Sequence, residues 1–169
     1  MRKLIVTSVA LCAAALATQA IAQAPPAPAP AAAPPPAYSE TVNLDQAKKA
    51  AAAAQEFAAK NGWAMAISVA APSGDLVYFQ KMDNTQFASI AISQHKARAA
   101  ATFRRPTKVF EDRIATPAGA PALTLDGIIA SEGGIPIVVG GKIIGAMGCS
   151  GGTGQQDGQS CQAGVDAMK

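Results

Sequence analysis

The chain has one histidine, His95, within Ser89-Ile-Ala-Ile-Ser-Gln-His-Lys-Ala-Arg98. A neutral imidazole is a common metal ligand and a common axial donor to haem iron. On a helix its neighbours three and four positions away would be Ala91, Arg98 and Ala99. Two readings stand side by side. One is a half-exposed helix histidine among basic residues. The other is an axial haem ligand, the one imidazole in the chain, on a helix whose Ala88, Ala91 and Ala99 let a flat macrocycle approach. Positive charge gathers around it in Lys96, Arg98, Arg104, Arg105, Lys108 and Arg113. Such a cluster is either a solvated surface paired with Glu111 and Asp112 or a seat for carboxylates such as haem propionates. Lys96, Arg98 and Arg105 are the candidate donors of that seat. Further on, Gly145-Ala-Met-Gly-Cys-Ser-Gly-Gly-Thr153 permits close backbone approach. The amides at Gly151 and Gly152 either form an anion-binding nest or make a tight turn into a last helix.

Other chemistries are set aside by the residues. No G-x-S-x-G elbow and no P-loop occur, and no local signature places a serine beside His95 for a triad. One histidine and three cysteines exclude a zinc finger or a two-histidine metal site. No C-x-x-C-H run occurs, so any haem would be held non-covalently. The formal charge is +3. Without Arg2 and Lys3, which lie in a segment expected to be removed, 12 basic residues face 11 acidic ones. That balance argues against a nucleic-acid binder.

The removable segment is a signal peptide over residues 1–22. Arg2 and Lys3 supply the positive start, Leu4 to Ala17 the apolar run, and Ala20-Ile-Ala22 the cleavage site. The mature chain is expected to be periplasmic or secreted, with no membrane span after cleavage. Residues 23–38 are a proline- and alanine-rich linker that favours extended polyproline II, and the folded domain is expected over residues 39–169. Cys149 and Cys161 are the cysteines left after cleavage, in an oxidising compartment. An intramolecular disulfide between them is expected, with free thiols or an intersubunit bond as the alternatives.

The elements that must position these residues read as α-ββ-α-α-ββ-α. Asn43 and Gln46 form a capping box ahead of an alanine-rich helix that stops at Asn61-Gly62. Trp63 to Ala70 and Leu76 to Met82 make a hairpin through Pro72-Ser-Gly-Asp75. A second helix, capped at Asn84 or Thr85, runs to Phe103 and is interrupted at Arg104-Arg-Pro106. A short helix follows Thr107, and a helical turn is expected at Leu125 to Ser131. Ile135 to Val139 and Lys142 to Gly148 form a second hairpin through Gly140-Gly141. A glycine-rich loop over 151–158 then leads to a helix from Gln159 to Met168. The fold class is α/β, of the α+β kind, with an antiparallel sheet covered by helices. Half the chain is hydrophobic but only 5% is aromatic, so the core is expected to be built from small side chains.

Four segments together resemble the GlcG/HbpS family of haem-binding, in some members haem-degrading, proteins, related to the C-terminal domain of PduO-type proteins. They are Asp75-Leu-Val-Tyr-Phe-Gln-Lys-Met-Asp83, Ser89-Ile with Lys96-Ala-Arg98, Phe103-Arg-Arg-Pro-Thr107, and Gly133-Gly-Ile-Pro-Ile-Val-Val-Gly-Gly-Lys-Ile-Ile-Gly-Ala-Met-Gly-Cys-Ser-Gly151. The likeness runs from about Leu44 to the C-terminus. It implies a profilin-like fold, haem as cofactor and a homo-oligomer of even number, with an octamer as the family's size. A sensor kinase is a further partner class. The family helix commonly reads K-A-x-T-A; Lys96 and Ala97 match, and Ala99 stands where the threonine would be. The iron ligand is therefore not carried by the resemblance, and His95 rests on the residues alone. An exported haem-binding protein used in haem handling or redox sensing is the first expectation. A haem-degrading enzyme, or a sensor or scaffold for a corrinoid or small acid, is the alternative. The lack of an evident acid/base pair leans away from an enzyme, although haem can carry its own chemistry.

Overall fold

A computed structural model describes residues 34–169. The expected signal peptide and the linker as far as residue 33 lie outside the described residues. The elements are β1 (Ala37–Tyr38), α1 (Leu44–Lys60), β2 (Ala66–Ala70), β3 (Leu76–Lys81), α2 (Ala88–Phe103), α3 (Lys108–Ile114), a 3₁₀ segment (Pro117–Thr124), β4 (Gly134–Val139), β5 (Lys142–Ser150) and α4 (Gly154–Asp166). The expected α-ββ-α-α-ββ-α order is present in a mixed α/β domain. β1 is an addition: it pairs in parallel with β5 at Lys142 and Ile143, so paired chain reaches back into the expected linker.

β5 organises the five-stranded sheet. It pairs antiparallel with β4 on one edge and with β2 on the other, and β1 takes up that second edge where β2 has ended. β3 completes the sheet beyond β2. Because side chains alternate along a strand, each strand serves two layers. Ile67, Val69, Ile137, Met147 and Cys149 face α1 and α4, where Ala47, Ala50, Ala51, Ala54, Ala58 and Val165 close the main core. Ser68, Gly148 and Ser150 face α2 instead. Ser68 Oγ lies 2.8 Å from Ser93 Oγ, and Ser150 Oγ donates to Ser89 Oγ at 3.0 Å. A Cβ on Gly148 would meet the Ser93 carbonyl at 2.0 Å, so α2 rests on bare strand backbone. The expectation of a core of small side chains holds.

Local chemistry explains the boundaries. The Asn43–Gln46 capping box is formed, with both hydrogen bonds at 2.9 Å. α2 starts later than expected, at Ala88, because Thr85 turns its hydroxyl back to donate to the Met82 carbonyl and caps nothing. Thr107 does not cap α3 either. Its hydroxyl donates to the Ser131 carbonyl and accepts from the Gly134 amide, tying α3 to the start of β4. The helical turn expected at Leu125 to Ser131 is absent, and a 3₁₀ segment with Pro at its start precedes it instead. α4 begins at Gly154, not Gln159, because Thr153 and Gln156 form a second capping box.

Cys149 of β5 and Cys161 of α4 are bonded as a disulfide, with Cα atoms 5.6 Å apart and both side chains buried. The bridge fastens α4 to the sheet's central strand. Cys149→Ala/Cys161→Ala is expected to lose about 3 kcal/mol of stability, the entropy released by opening a loop of this size. Urea unfolding of the oxidised parent and the double variant measures it. Coincident transitions would refute a stabilising bridge.

Candidate functional site

α2 presents different chemistry on its two faces. Ser89, Ser93, Lys96, Ala97 and Ala100 are buried against the sheet, whereas Ala88, Ala91, His95, Arg98 and Thr102 are exposed. Ala99 is buried, so the stripe expected to hold Ala88, Ala91, Ala99 and His95 is corrected. The stripe beside His95 continues through Arg98 and Thr102. The reason is the helix's rotation: positions 93, 97 and 100 approach the strands, and 99 is covered with them.

His95 and Arg98 line one open cleft of about 660 Å³. Its opposite wall is the β2–β3 turn, Ser73 to Leu76, and Asp126 and Gly127 close one side. The turn sits directly on the helix. Gly74 has φ +90°, and a Cβ there would lie 2.9 Å from Arg98 Cγ and 3.0 Å from Thr102 Cγ2. Ser73 Oγ donates to Asp75 Oδ2 at 2.8 Å, which fixes that carboxylate within the turn. The cleft thus combines one imidazole, one guanidinium and two carboxylates, and its volume is that of a small-molecule site. Among the described residues no group of three or more His, Cys, Asp or Glu side chains is placed to hold a metal ion directly.

The other expected site residues lie elsewhere. Lys96 points into the protein, where its Nζ donates to Asp157 Oδ2 at 2.8 Å; the two side chains are 1% and 4% exposed. Asp157 Oδ1 accepts the Gly152 amide at 2.9 Å. The expected anion nest therefore spends the Gly152 amide on an internal carboxylate, and Gly151 sits beside it at the end of β5. Burial pushes the Asp157 carboxyl above its ordinary value, opposed by the Lys96 hydrogen bond and the Gly152 amide. Arg105 is exposed beyond the end of α2, donating from Nε to the Phe103 carbonyl, and does not line the cleft. The structure brings His95 and Arg98 together and leaves Lys96, Arg105, Gly151 and Gly152 outside. Asp75, Asp126 and Asp157 were not expected. Asp75 reads as a turn residue, and nothing local marks the other two.

The family described as haem-degrading protein HbpS-like matches residues 42–166. Protein GlcG of Escherichia coli strain K12 is 44% identical over 100 residues, which span 59% of this chain and 73% of GlcG. A double mutant of Streptomyces reticuli HbpS has a TM-score of 0.69 at 30% identity, covering 83% of this chain and 97% of that one. The structure described as a PduOC:haem complex has a TM-score of 0.68 at 21% identity, covering 75% and 94%, and shares the fold. The family match begins at Val42, just ahead of α1, and ends with Asp166 at the close of α4. It takes in both helix layers and four of the five strands, and on that ground this chain belongs to the HbpS-like family.

Proposed function

We propose that this is an exported, non-covalent haem-binding protein of the cell envelope, with the cleft beside α2 as its haem seat. The observation that carries the reading is the placement of the chain's one imidazole and a guanidinium three residues on, both exposed, in one cleft. Haem bound there would supply redox and oxygen chemistry. His95 would donate to its iron and Arg98 would pair with a propionate. Asp75 and Asp126, on the same cleft, would disfavour a second carboxylate near them. The family description and the haem-bound PduOC relative support the ligand.

Haem titration is expected to give a saturable Soret shift. His95→Ala is expected to move the band and weaken binding. An unchanged band and affinity in His95→Ala would defeat the ligand assignment. No shift in the parent would defeat the haem reading itself.

The family description also favours a second reading, in which bound haem is consumed. Loss of the Soret band under reductant or peroxide, faster than for free haem, separates it from simple binding. Export is supported by the Cys149–Cys161 disulfide, which belongs to an oxidising compartment. Self-association into an even-numbered homo-oligomer is supported by a core poor in large side chains. Light scattering at micromolar concentration tests it, and a monomer mass refutes it.

A further inference from the structure

The Lys96–Asp157 pair has no part in the cleft, yet it is the most deeply buried charge in the described residues. Two buried ions lose hydration that their attraction only partly returns, so the pair is a poor device for stability alone. Its position explains more. α2 lies on one face of the sheet, and α4, with Cys161 bonded to Cys149, lies on the other. Lys96 spans the two layers at the sheet's end. Gly133 leaves the gap it uses: a Cβ there would lie 2.9 Å from Lys96 Nζ and 2.8 Å from Asp157 Cβ.

α2 itself is seated along its middle by small groups, and at its end Tyr38 Oη donates to the Ala101 and Thr102 carbonyls, each at 3.1 Å. Glycines 134 and 148 meet its backbone, and the serine contacts are single hydroxyl pairs. Lys96 is the long side chain on the buried face, adjacent in sequence to His95 on the exposed one. Anchoring Lys96 to a fixed carboxylate therefore sets the angle at which His95 and Arg98 enter the cleft. Asp157 is itself fixed, by the Gly152 amide and by its place in a segment closed by the disulfide.

We infer that Lys96 and Asp157 are positioning residues for the cleft: their ion pair locks α2 in the rotation that presents His95 and Arg98 together. The inference rests on the haem reading for its ligand but not for its geometry, and the test reads the two separately. Lys96→Met/Asp157→Leu removes both charges without stranding either. Glu56→Gln, which removes an exposed ion pair on α1, is the control.

In the haem-free proteins, the His95 imidazole resonances are expected to shift in the double variant and to stay in place in the control. With haem, the double variant is expected to bind about tenfold or more weaker, with a displaced Soret band, as for partners that orient a metal ligand. Unchanged imidazole resonances, with parent-like affinity and band, would overturn the positioning role. A parent that gives no Soret shift overturns the haem reading instead, and the imidazole resonances alone then decide. If circular dichroism shows the double variant unfolded, Asp157→Glu, which keeps the ion pair but moves the carboxylate that anchors Lys96, is read in the same way.

Discussion

Lys96→Ala should lower stability by about 3–5 kcal/mol at neutral pH, because it leaves the Asp157 carboxylate buried without its counter-ion. The loss should also depend on pH. Burial already holds the folded-state Asp157 carboxyl above its ordinary value of 3.8. The Lys96 hydrogen bond and charge oppose that rise, so their removal drives the carboxyl higher still. A folded state that binds its proton more tightly than the unfolded state loses stability as pH rises above the unfolded value. The deficit relative to the parent is therefore greatest at neutral pH and shrinks as pH falls through the folded-state value, where Asp157 becomes a neutral acid. Urea unfolding of both proteins at pH 7 and at about pH 4 checks the sign. Deficits that match at the two pH values would show that lost packing of the lysine stem, and not the stranded carboxylate, carries the effect.

How far the sequence could be read follows the range of each interaction. The Asn43–Gln46 capping box and the Gly140-Gly141 turn, with φ +57° and +75°, are decided within a few residues, and both are where the pattern puts them. His95 and Arg98 share a cleft because a spacing of three puts them on one helix face. Lys96 illustrates the limit. A lysine one position from an exposed histidine reads as surface, since lysine is seldom fully buried without a partner. Its partner lies 61 residues away on another helix, beyond any local pattern. The start of α4 was readable in principle, since Thr153-x-x-Gln156 is a capping signature. Gly154 and Gly158 weaken that signal because glycine disfavours helix interiors. Asp126 depends on the path of an irregular segment between Leu125 and Glu132, and its arrival at the cleft follows from tertiary packing alone.

Gly148→Ala should cost about 3 kcal/mol or more, while Gly158→Ala should cost less than about 1 kcal/mol, although both glycines are buried and tightly enclosed. The difference lies in what the new methyl would meet. At Gly148 the three nearest atoms are the Ser93 carbonyl oxygen at 2.0 Å and the Ala97 nitrogen and Cα at 2.5 and 3.1 Å. All are backbone of α2, so relief requires lifting the helix from β5. That stretches the Ser68–Ser93 and Ser150–Ser89 hydrogen bonds, each worth about 1 kcal/mol, between side chains that are buried. At Gly158 the three nearest atoms all belong to the Glu132 side chain, from 2.5 to 3.0 Å, and that flexible chain can swing aside. Alanine also gains about 0.8–1 kcal/mol over glycine inside a helix, which offsets part of any strain. Because α2 carries His95 and Arg98, Gly148→Ala should also shift the His95 imidazole resonances, and Gly158→Ala should leave them in place. Equal stability losses at the two positions would show that α2 is free to adjust, and the account of α2 seated on bare strand backbone would fail.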